Sequence, residues 1–261
     1  REREVHAVNG VTFDLNRGEV LSILGESGSG KSVTLRAVQK LLPERITDIS
    51  GAIVIDGENV LDMGLPRLRD LRGGEVSMIF QEPATSFDPV YTIGQQIIET
   101  ILKHKNCDWT VAQNRARELL DLVKIPSAAK RLDNYPHEMS GGMRQRAMIA
   151  LALCCDPKIL LADEPTTALD ATVQIQVLLL LKQLQKELGL SVIFVTHDIG
   201  VAIEIGDRIA VMYGGKIVET GPLADVVRSP QHPYTQGLMS STIHAASRGR
   251  RLQAISGTPP N

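Results

Sequence analysis

Gly25-Glu26-Ser27-Gly28-Ser29-Gly30-Lys31-Ser32 fits the pattern G-x-x-x-x-G-K-[ST], and its flanks supply the context that the pattern needs. Glu19 to Leu24 (EVLSIL) is a short, mostly apolar run read as a strand, and a helix is expected from about Lys31. In such a strand–loop–helix, glycines let successive backbone N–H groups converge on phosphate oxygens and the helix N-terminus adds its dipole. Lys31 can reach the β- and γ-phosphates, and Ser32 offers a hydroxyl to Mg²⁺. A glycine turn that merely caps a helix is the plainer alternative, and the flanks weigh against it. Alone, the motif says only that a nucleotide is bound, with kinases and GTPases still open.

Outward from this loop, Val11, Phe13 and Leu15 alternate with polar residues and read as a strand. Ala52 to Ile55 followed by Asp56-Gly57 reads as a strand entering a hairpin, and Val76 to Phe80 as another strand. From Ile93 to about Cys155 apolar residues fall at helical spacing, as at Ala116, Leu119, Leu120 and Val123. Strand-like runs return at Ile159 to Ala162 and Ser191 to Thr196, separated by a helix from about Thr172 to Leu188. A last hairpin follows, Arg208 to Tyr213, Gly214-Gly215, Lys216 to Glu219. Beyond Pro230 the prolines and the basic cluster Arg248, Arg250 and Arg251 suggest a poorly packed extension. No internal repeat or low-complexity tract is visible.

Composition supports an α/β chain. Of 261 residues 43% are hydrophobic, yet only one Trp, four Tyr and four Phe occur, so the core is aliphatic, as a buried parallel sheet requires. With 28 Lys and Arg against 30 Asp and Glu the net charge is −2, which argues against a duplex nucleic-acid binder working through a basic surface. Cys107, Cys154 and Cys155 are too few and too irregularly spaced for a disulfide or metal framework, so a reducing, cytoplasmic setting is expected. At least one of Cys154 and Cys155 is expected in the core, and, being adjacent on a helix, the two make poor joint metal ligands. No apolar run approaches the roughly 18 residues of a membrane helix, and there is no signal peptide. The chain opens at Arg1 without Met, which suggests a start inside a longer product.

Two further clusters choose among nucleotide proteins. Ile159-Leu-Leu-Ala-Asp163-Glu164-Pro165 is a strand that ends in adjacent carboxylates. Alternating side-chain directions let Asp163 face a metal, through water, while Glu164 sits near the attacked γ-phosphate. Ser140-Gly141-Gly142-Met143-Arg144-Gln145-Arg146 opens the helix read from Gln145 to Cys155, with Ser140 able to cap it. Its bare N–H groups make a second anion site, so the chain carries two phosphate-binding helix ends. Gln81 follows a strand and can offer an acceptor to Mg²⁺ and a donor to water. His197 follows Ile193-Phe-Val-Thr196, at the sheet edge where α/β proteins place ligands.

Taken together, Gly25 to Ser32, Gln81, Ser140-Gly141-Gly142, Asp163-Glu164, Ala168-Leu169-Asp170 and His197 occur in the order of the ATP-binding cassette (ABC) ATPases, and the chain resembles that family from about Val5 to Gly221. The resemblance implies an α/β fold: a P-loop, RecA-like core with an antiparallel β subdomain and an inserted α-helical subdomain. It places the first part of the core and the β subdomain at 1–81, the helical subdomain at 82–157 and the second part of the core at 158–229. An incomplete C-terminal extension covers 230–261.

ATP and Mg²⁺ are the implied cofactors. Gly25, Glu26, Ser27, Gly28, Ser29, Gly30, Lys31, Ser32 and Val33 would bind ATP, and Ser32, Gln81 and Asp163 the metal. Glu164, His197, Gln81 and Lys31 would act in catalysis, Glu164 polarising water and His197 sensing the γ-phosphate. Two subunits would sandwich ATP head to tail, Ser140, Gly141, Gly142, Met143 and Asp170 serving the nucleotide of the partner.

Several strings resemble the ATPases of dipeptide and oligopeptide importers: Gln81-Glu-Pro-Ala-Thr-Ser-Phe-Asp-Pro89, Tyr135-Pro-His137, Asp163-Glu-Pro-Thr-Thr-Ala-Leu-Asp170, Pro230-Gln-His-Pro-Tyr-Thr235 and Gly257-Thr-Pro-Pro260. That resemblance implies a peripheral subunit on the cytoplasmic face of the cell membrane. Its partners would be a second ABC ATPase subunit, the same or homologous, transmembrane permease subunits and, indirectly, an extracytoplasmic solute-binding protein, with no nucleic acid. Met139 and Met143 stand where the family has Leu and most often Gln, and both should leave the motif working. The family's adenine-stacking aromatic is expected before Arg1, and any iron–sulfur loop after Asn261. The alternative class, a non-transport ABC ATPase acting on DNA or ribosomes, usually carries coiled-coil insertions, zinc-binding cysteine pairs or tandem cassettes, and none is present here. A P-loop small-molecule kinase leaves Ser140-Gly141-Gly142 and His197 unexplained.

Overall fold

A strand with no solvated face has to be covered on both sides, and Val20–Leu24 (β1), apolar but for Ser22, is buried at all five positions. The computed structural model describes residues 5–167 and 169–241. In chain order, β1 is followed by α1 (Lys31–Val38), β2 (Val54–Ile55), β3 (Glu58–Asn59), α2 (Leu65–Asp70), β4 (Val76–Ile79), α3 (Pro83–Ser86), α4 (Ile93–His104), α5 (Trp109–Leu122) and α6 (Ala128–Arg131). Then come α7 (Gly141–Leu153), β5 (Ile159–Asp163), α8 (Ala171–Leu188), β6 (Ser191–Thr196), α9 (Ile199–Ile205), β7 (Arg208–Tyr213), β8 (Lys216–Pro222), α10 (Leu223–Arg228) and α11 (Pro233–Ser241). They fall into two units, one formed by Arg1–Ile49 with Val192–Asn261 and the other by Ser50–Ser191.

In the first unit β1 is the inner strand, parallel to β6 on one side (Leu21 opposite Ile193) and to β7 on the other (Leu21 opposite Arg208). β8 returns antiparallel to β7 through Gly214-Gly215, whose φ angles of 53° and 74° are those of the mirror-image turn that suits strand twist. Leu24, Ile199, Ala202, Ile209, Val211, Leu223, Val226 and Tyr234 form a buried cluster that joins the sheet to α9, α10 and α11.

Two expectations change here. Val11 to Leu15 alternates between half-buried and exposed positions, as its period of two demands, but forms no strand. Alternation reports which side chains are covered, and the segment is covered without a ladder partner. The stretch after Pro230 is also not loosely packed as far as residue 241. Gln231 N–H and His232 N–H donate to the Glu219 carboxylate at 2.8 and 3.0 Å, and Tyr234 is 7% exposed. The basic cluster at Arg248, Arg250 and Arg251 and the string Gly257 to Pro260 lie outside the described residues.

In the second unit β4 runs parallel to β5, Val76 opposite Ile159 through Ile79 opposite Ala162. The expected hairpin is present as β2–β3, turning through Asp56 and Gly57 at φ 48° and 87°. Among the described residues no strand lies between Ile79 and Ile159. Helix α4 starts with a capping box between Thr92 and Gln95 and buries Ile93, Ile97, Ile98 and Ile101. Asp108 caps α5, which buries Ala112, Ala116, Leu119 and Leu120 at the spacing the sequence shows. Cys154 and Cys155 are both buried.

Glu219 fastens the segment after β8. Burial pushes its carboxyl up, but the N–H groups of Gln231 and His232, which donate to it, outweigh this and hold it below the ordinary glutamate value. A carboxylate whose value is depressed on folding adds stability that is complete above about pH 4.5 and is lost as pH falls through the folded value. Glu219→Gln is therefore expected to lower the melting temperature at neutral pH and to remove part of the acid-induced loss of stability, as read by thermal melts between pH 3 and 7.

Candidate nucleotide site

In the first unit the loop from Gly25 to Gly30 leaves the end of β1 and enters α1. Gly25 N–H donates to Thr196 O at 3.4 Å, Ser29 N–H to Glu26 O at 3.2 Å, and Gly215 N–H to Ser29 O at 3.1 Å. Gly25 has no room for a side chain, since a Cβ there would stand 2.2 Å from Met212 O. Gly30 adopts φ 99° and Thr34 donates back to its carbonyl at 3.0 Å, so the helix begins at Lys31 as expected.

Lys31 is 4% exposed, and its Nζ donates to Gly25 O at 2.7 Å and Glu26 O at 2.8 Å. Ser32 and Val33 follow in the first turn of α1. Ser27 and Gly28 form the exposed crest of the loop. Ser29 Oγ is buried and has no hydrogen-bond partner among the described residues. An orphaned buried hydroxyl in this loop fits a ligand rich in oxygen acceptors, as a phosphate is. His197 is exposed and is the first residue after β6, followed by Asp198, which caps α9 through bonds to Gly200 N–H and Val201 N–H.

In the second unit Asp163 is the last residue of β5 and is 2% exposed, and Glu164 follows at φ 44°. A left-handed glutamate costs about 1–3 kcal/mol and is held there only by its surroundings. Thr167 Oγ1 donates to Glu164 Oε2 at 2.9 Å, and Gln81 Nε2 lies 3.5 Å from the same oxygen. The structure thus brings Gln81 and Glu164 together, a pair that the sequence places 83 positions apart.

Ser140 caps α7 by accepting Met143 N–H at 3.3 Å, as its position suggests. Arg144 donates to Met139 O at 2.7 Å, which fixes the chain entering the helix. Gly142 faces the first turn of α8, where a Cβ would meet Val173 Cγ1 at 2.7 Å. Asp170 caps α8, accepting Thr172 N–H at 3.1 Å and Val173 N–H at 3.0 Å.

Ser32 in the first unit and, in the second, Gln81 and Asp163 each carry oxygen atoms of the kind a hard cation takes. Among the described residues no group of three His, Cys, Asp or Glu could hold a metal by itself. Mg²⁺ is commonly bound by one or two side chains together with substrate phosphates. Two contacts escaped the sequence reading: Thr167 on Glu164, and Tyr234, whose hydroxyl oxygen accepts Glu26 N–H at 3.2 Å. The second lay in a string that was legible only as a mark of resemblance.

Comparison with known proteins now adds to the geometry. The ABC transporter family matches residues 8–167, and the C-terminal region of oligopeptide/dipeptide transporters matches residues 218–261. The chain is 50% identical to the oligopeptide transport ATP-binding protein OppD of Bacillus subtilis (strain 168), over 99% of this chain and 73% of that protein. It is 47% identical to the dipeptide transport ATP-binding protein DppD of the same organism, over 98% of this chain and 77% of that protein. Among solved structures it resembles a dimeric post-hydrolysis state of the ATP-binding cassette MJ0796 bound to ADP and Pi. There the TM-score is 0.76 and the identity 31%, over 85% of this chain and 93% of that one.

A single oxygen, Asp170 Oδ1, accepts both N–H groups at the start of an 18-residue helix. Replacing Asp170 with Ala leaves two N–H groups without their cap and is expected to lower stability by about 1 kcal/mol in urea denaturation.

Proposed function

Because the chain belongs to the ABC transporter family of ATP-binding proteins, we propose that it is the ATPase subunit of an importer of peptides or similar small solutes. The observation that carries this reading is the loop between β1 and α1, where Lys31 Nζ folds back onto the carbonyls of Gly25 and Glu26. A loop with its backbone already fixed and a lysine at its helical end binds a triphosphate with little reorganisation.

In this reading Gly25, Glu26, Ser27, Gly28, Ser29, Gly30, Lys31, Ser32 and Val33 hold the phosphates of ATP. Ser32, Gln81 and Asp163 hold Mg²⁺, which when bound neutralises charge on the phosphates. Glu164 polarises the attacking water, with Gln81 and Thr167 restraining its carboxylate, and His197 reports on the γ-phosphate. Ser140, Gly141, Gly142, Met143 and Asp170 serve the nucleotide bound by a second ATPase subunit, identical or homologous. The N–H groups of Gly141 and Gly142, ahead of the Met143 N–H that Ser140 caps at the start of α7, suit that anionic partner.

The helical segment 82–157 would dock on the permease, between core segments 1–81 and 158–229 and ahead of the extension 230–261. No helix of the described residues is long and apolar enough to cross a membrane, which suits a subunit held at the cytoplasmic face by separate permease chains. An extracytoplasmic solute-binding protein would deliver the cargo. The peptide-import names of the relatives support this class and not the alternative of a cassette acting on DNA or ribosomes.

The test is the light-scattering mass of the Glu164→Gln chain with and without MgATP, together with steady-state hydrolysis. Glu164→Gln is expected to keep ATP binding, lose about 10²–10⁴-fold in turnover and pass from monomer to dimer on adding MgATP. Lys31→Ala is expected to lose ATP binding. Unaltered turnover in Glu164→Gln would overturn the role given to Glu164, and a wild-type chain that binds no MgATP would overturn the whole reading. A monomer that binds ATP would assign the opposite half-site to a different ATPase subunit.

A further inference from the structure

We propose that Tyr234, in the segment following β8, is a positioning residue for the phosphate loop: its hydroxyl oxygen accepts the Glu26 N–H at 3.2 Å and fixes the orientation in which the loop receives nucleotide. The inference rests on reading Gly25 to Ser32 as the ATP site and adds a residue 208 positions away to it.

The Gly25–Glu26 peptide is gripped at both edges. Its carbonyl oxygen accepts Lys31 Nζ at 2.7 Å, and its N–H donates to Tyr234. The first grip is one that nucleotide withdraws, because the same ammonium is wanted by the β- and γ-phosphates. The second does not involve Lys31, so it persists while the lysine changes partners. Without it, a peptide next to a glycine would turn easily at that moment, and the loop would have to be ordered at the expense of binding.

Tyr234 is itself placed by rigid neighbours. Its ring packs on Tyr213 of β7, centroids 4.4 Å apart and planes at 39°, and lies in the cluster with Leu24, Val211 and Val226. Its backbone N–H donates to His232 Nδ1 at 3.1 Å, and the two preceding N–H groups of Gln231 and His232 are held by Glu219. Burial pushes the phenol above its ordinary value, so the hydroxyl stays protonated and neutral across the physiological range. The path therefore runs from Glu219 on β8, through the turn at 231–232, to the ring of Tyr234 and the backbone of Glu26.

The experiment is Tyr234→Phe, which deletes the hydroxyl and keeps the stack. Three quantities are compared with the unaltered chain: calorimetric Kd for MgATP, KM and kcat of hydrolysis, and the melting temperature without nucleotide. Kd and KM are expected to rise by about 2- to 10-fold, the size of one neutral hydrogen bond. At saturating ATP kcat should stay within about twofold, and the nucleotide-free melting temperature should fall by no more than about 4 °C, the cost of one hydrogen bond. Tyr234→Leu, which loses ring and hydroxyl together, is expected to show at least the same rise in Kd along with a lower melting temperature. A wild-type Kd in Tyr234→Phe would overturn the proposal, as would a fall in melting temperature with Kd unchanged. If instead the unaltered chain binds no MgATP, the failure lies in the reading of the ATP site.

Discussion

Backbone packed directly on backbone is the constraint on which the first unit depends. At Gly25 the chain leaves β1 so close to Met212 O that a single methyl group could not be admitted. That proximity exists because β1 lies between β6 and β7 in parallel register, and the loop is tied to both neighbours. Thr196 O at the end of β6 accepts Gly25 N–H, and the β7–β8 turn donates Gly215 N–H to Ser29 O. The loop is thus less an appendage of one strand than a feature of three. Its rigidity comes from ladder geometry that also buries the aliphatic core, so core packing and site preorganisation are the same set of contacts seen from two sides.

In the second unit the same economy takes another form. Ser140 and Asp170, the residues that would meet a partner's nucleotide, cap α7 and α8 here, each satisfying N–H groups at the start of its helix. Gly142 lets those two helix starts approach, and the cap at Asp170 ends on the N–H of Val173, the very residue that Gly142 faces. A side chain that caps a helix is held in one rotamer and one direction, which is what a group waiting for a ligand requires. Glu164 represents the opposite situation. Its left-handed backbone is unfavourable, and Thr167 and Gln81 restrain its carboxylate, so local stability is given up at the residue assigned to the chemistry.

Much of this was legible because it is local. The loop motif, the strand before it, the cap at Ser140 and the Asp56-Gly57 and Gly214-Gly215 turns all depend on residues within a few positions of one another. The helical spacing of Ala116, Leu119 and Leu120 was equally readable, since it needs only a period and an apolar face. Val11 to Leu15 shows where such reasoning stops. A period of two tells which side chains are covered, and there the covering came without the hydrogen-bonded neighbour that would make a strand. The contact of Gln81 with Glu164 was not read from the sequence, because nothing in either residue's surroundings announces the other.

The segment after Pro230 failed for a different reason. Prolines and a basic cluster argue for a loose extension when composition is all that is available, and composition cannot see an acceptor on a strand that has already passed. Glu219 supplies that acceptor: two consecutive N–H groups freed by the proline-bounded turn find one carboxylate, and the next turn of chain starts α11 against the sheet. Once α11 is docked, Tyr234 has the stack on Tyr213 to lie against and the Glu26 N–H to meet. The string that marked the resemblance is therefore also a structural device, in which two prolines expose donors, a glutamate collects them, and the tyrosine is delivered to the loop where phosphate would bind.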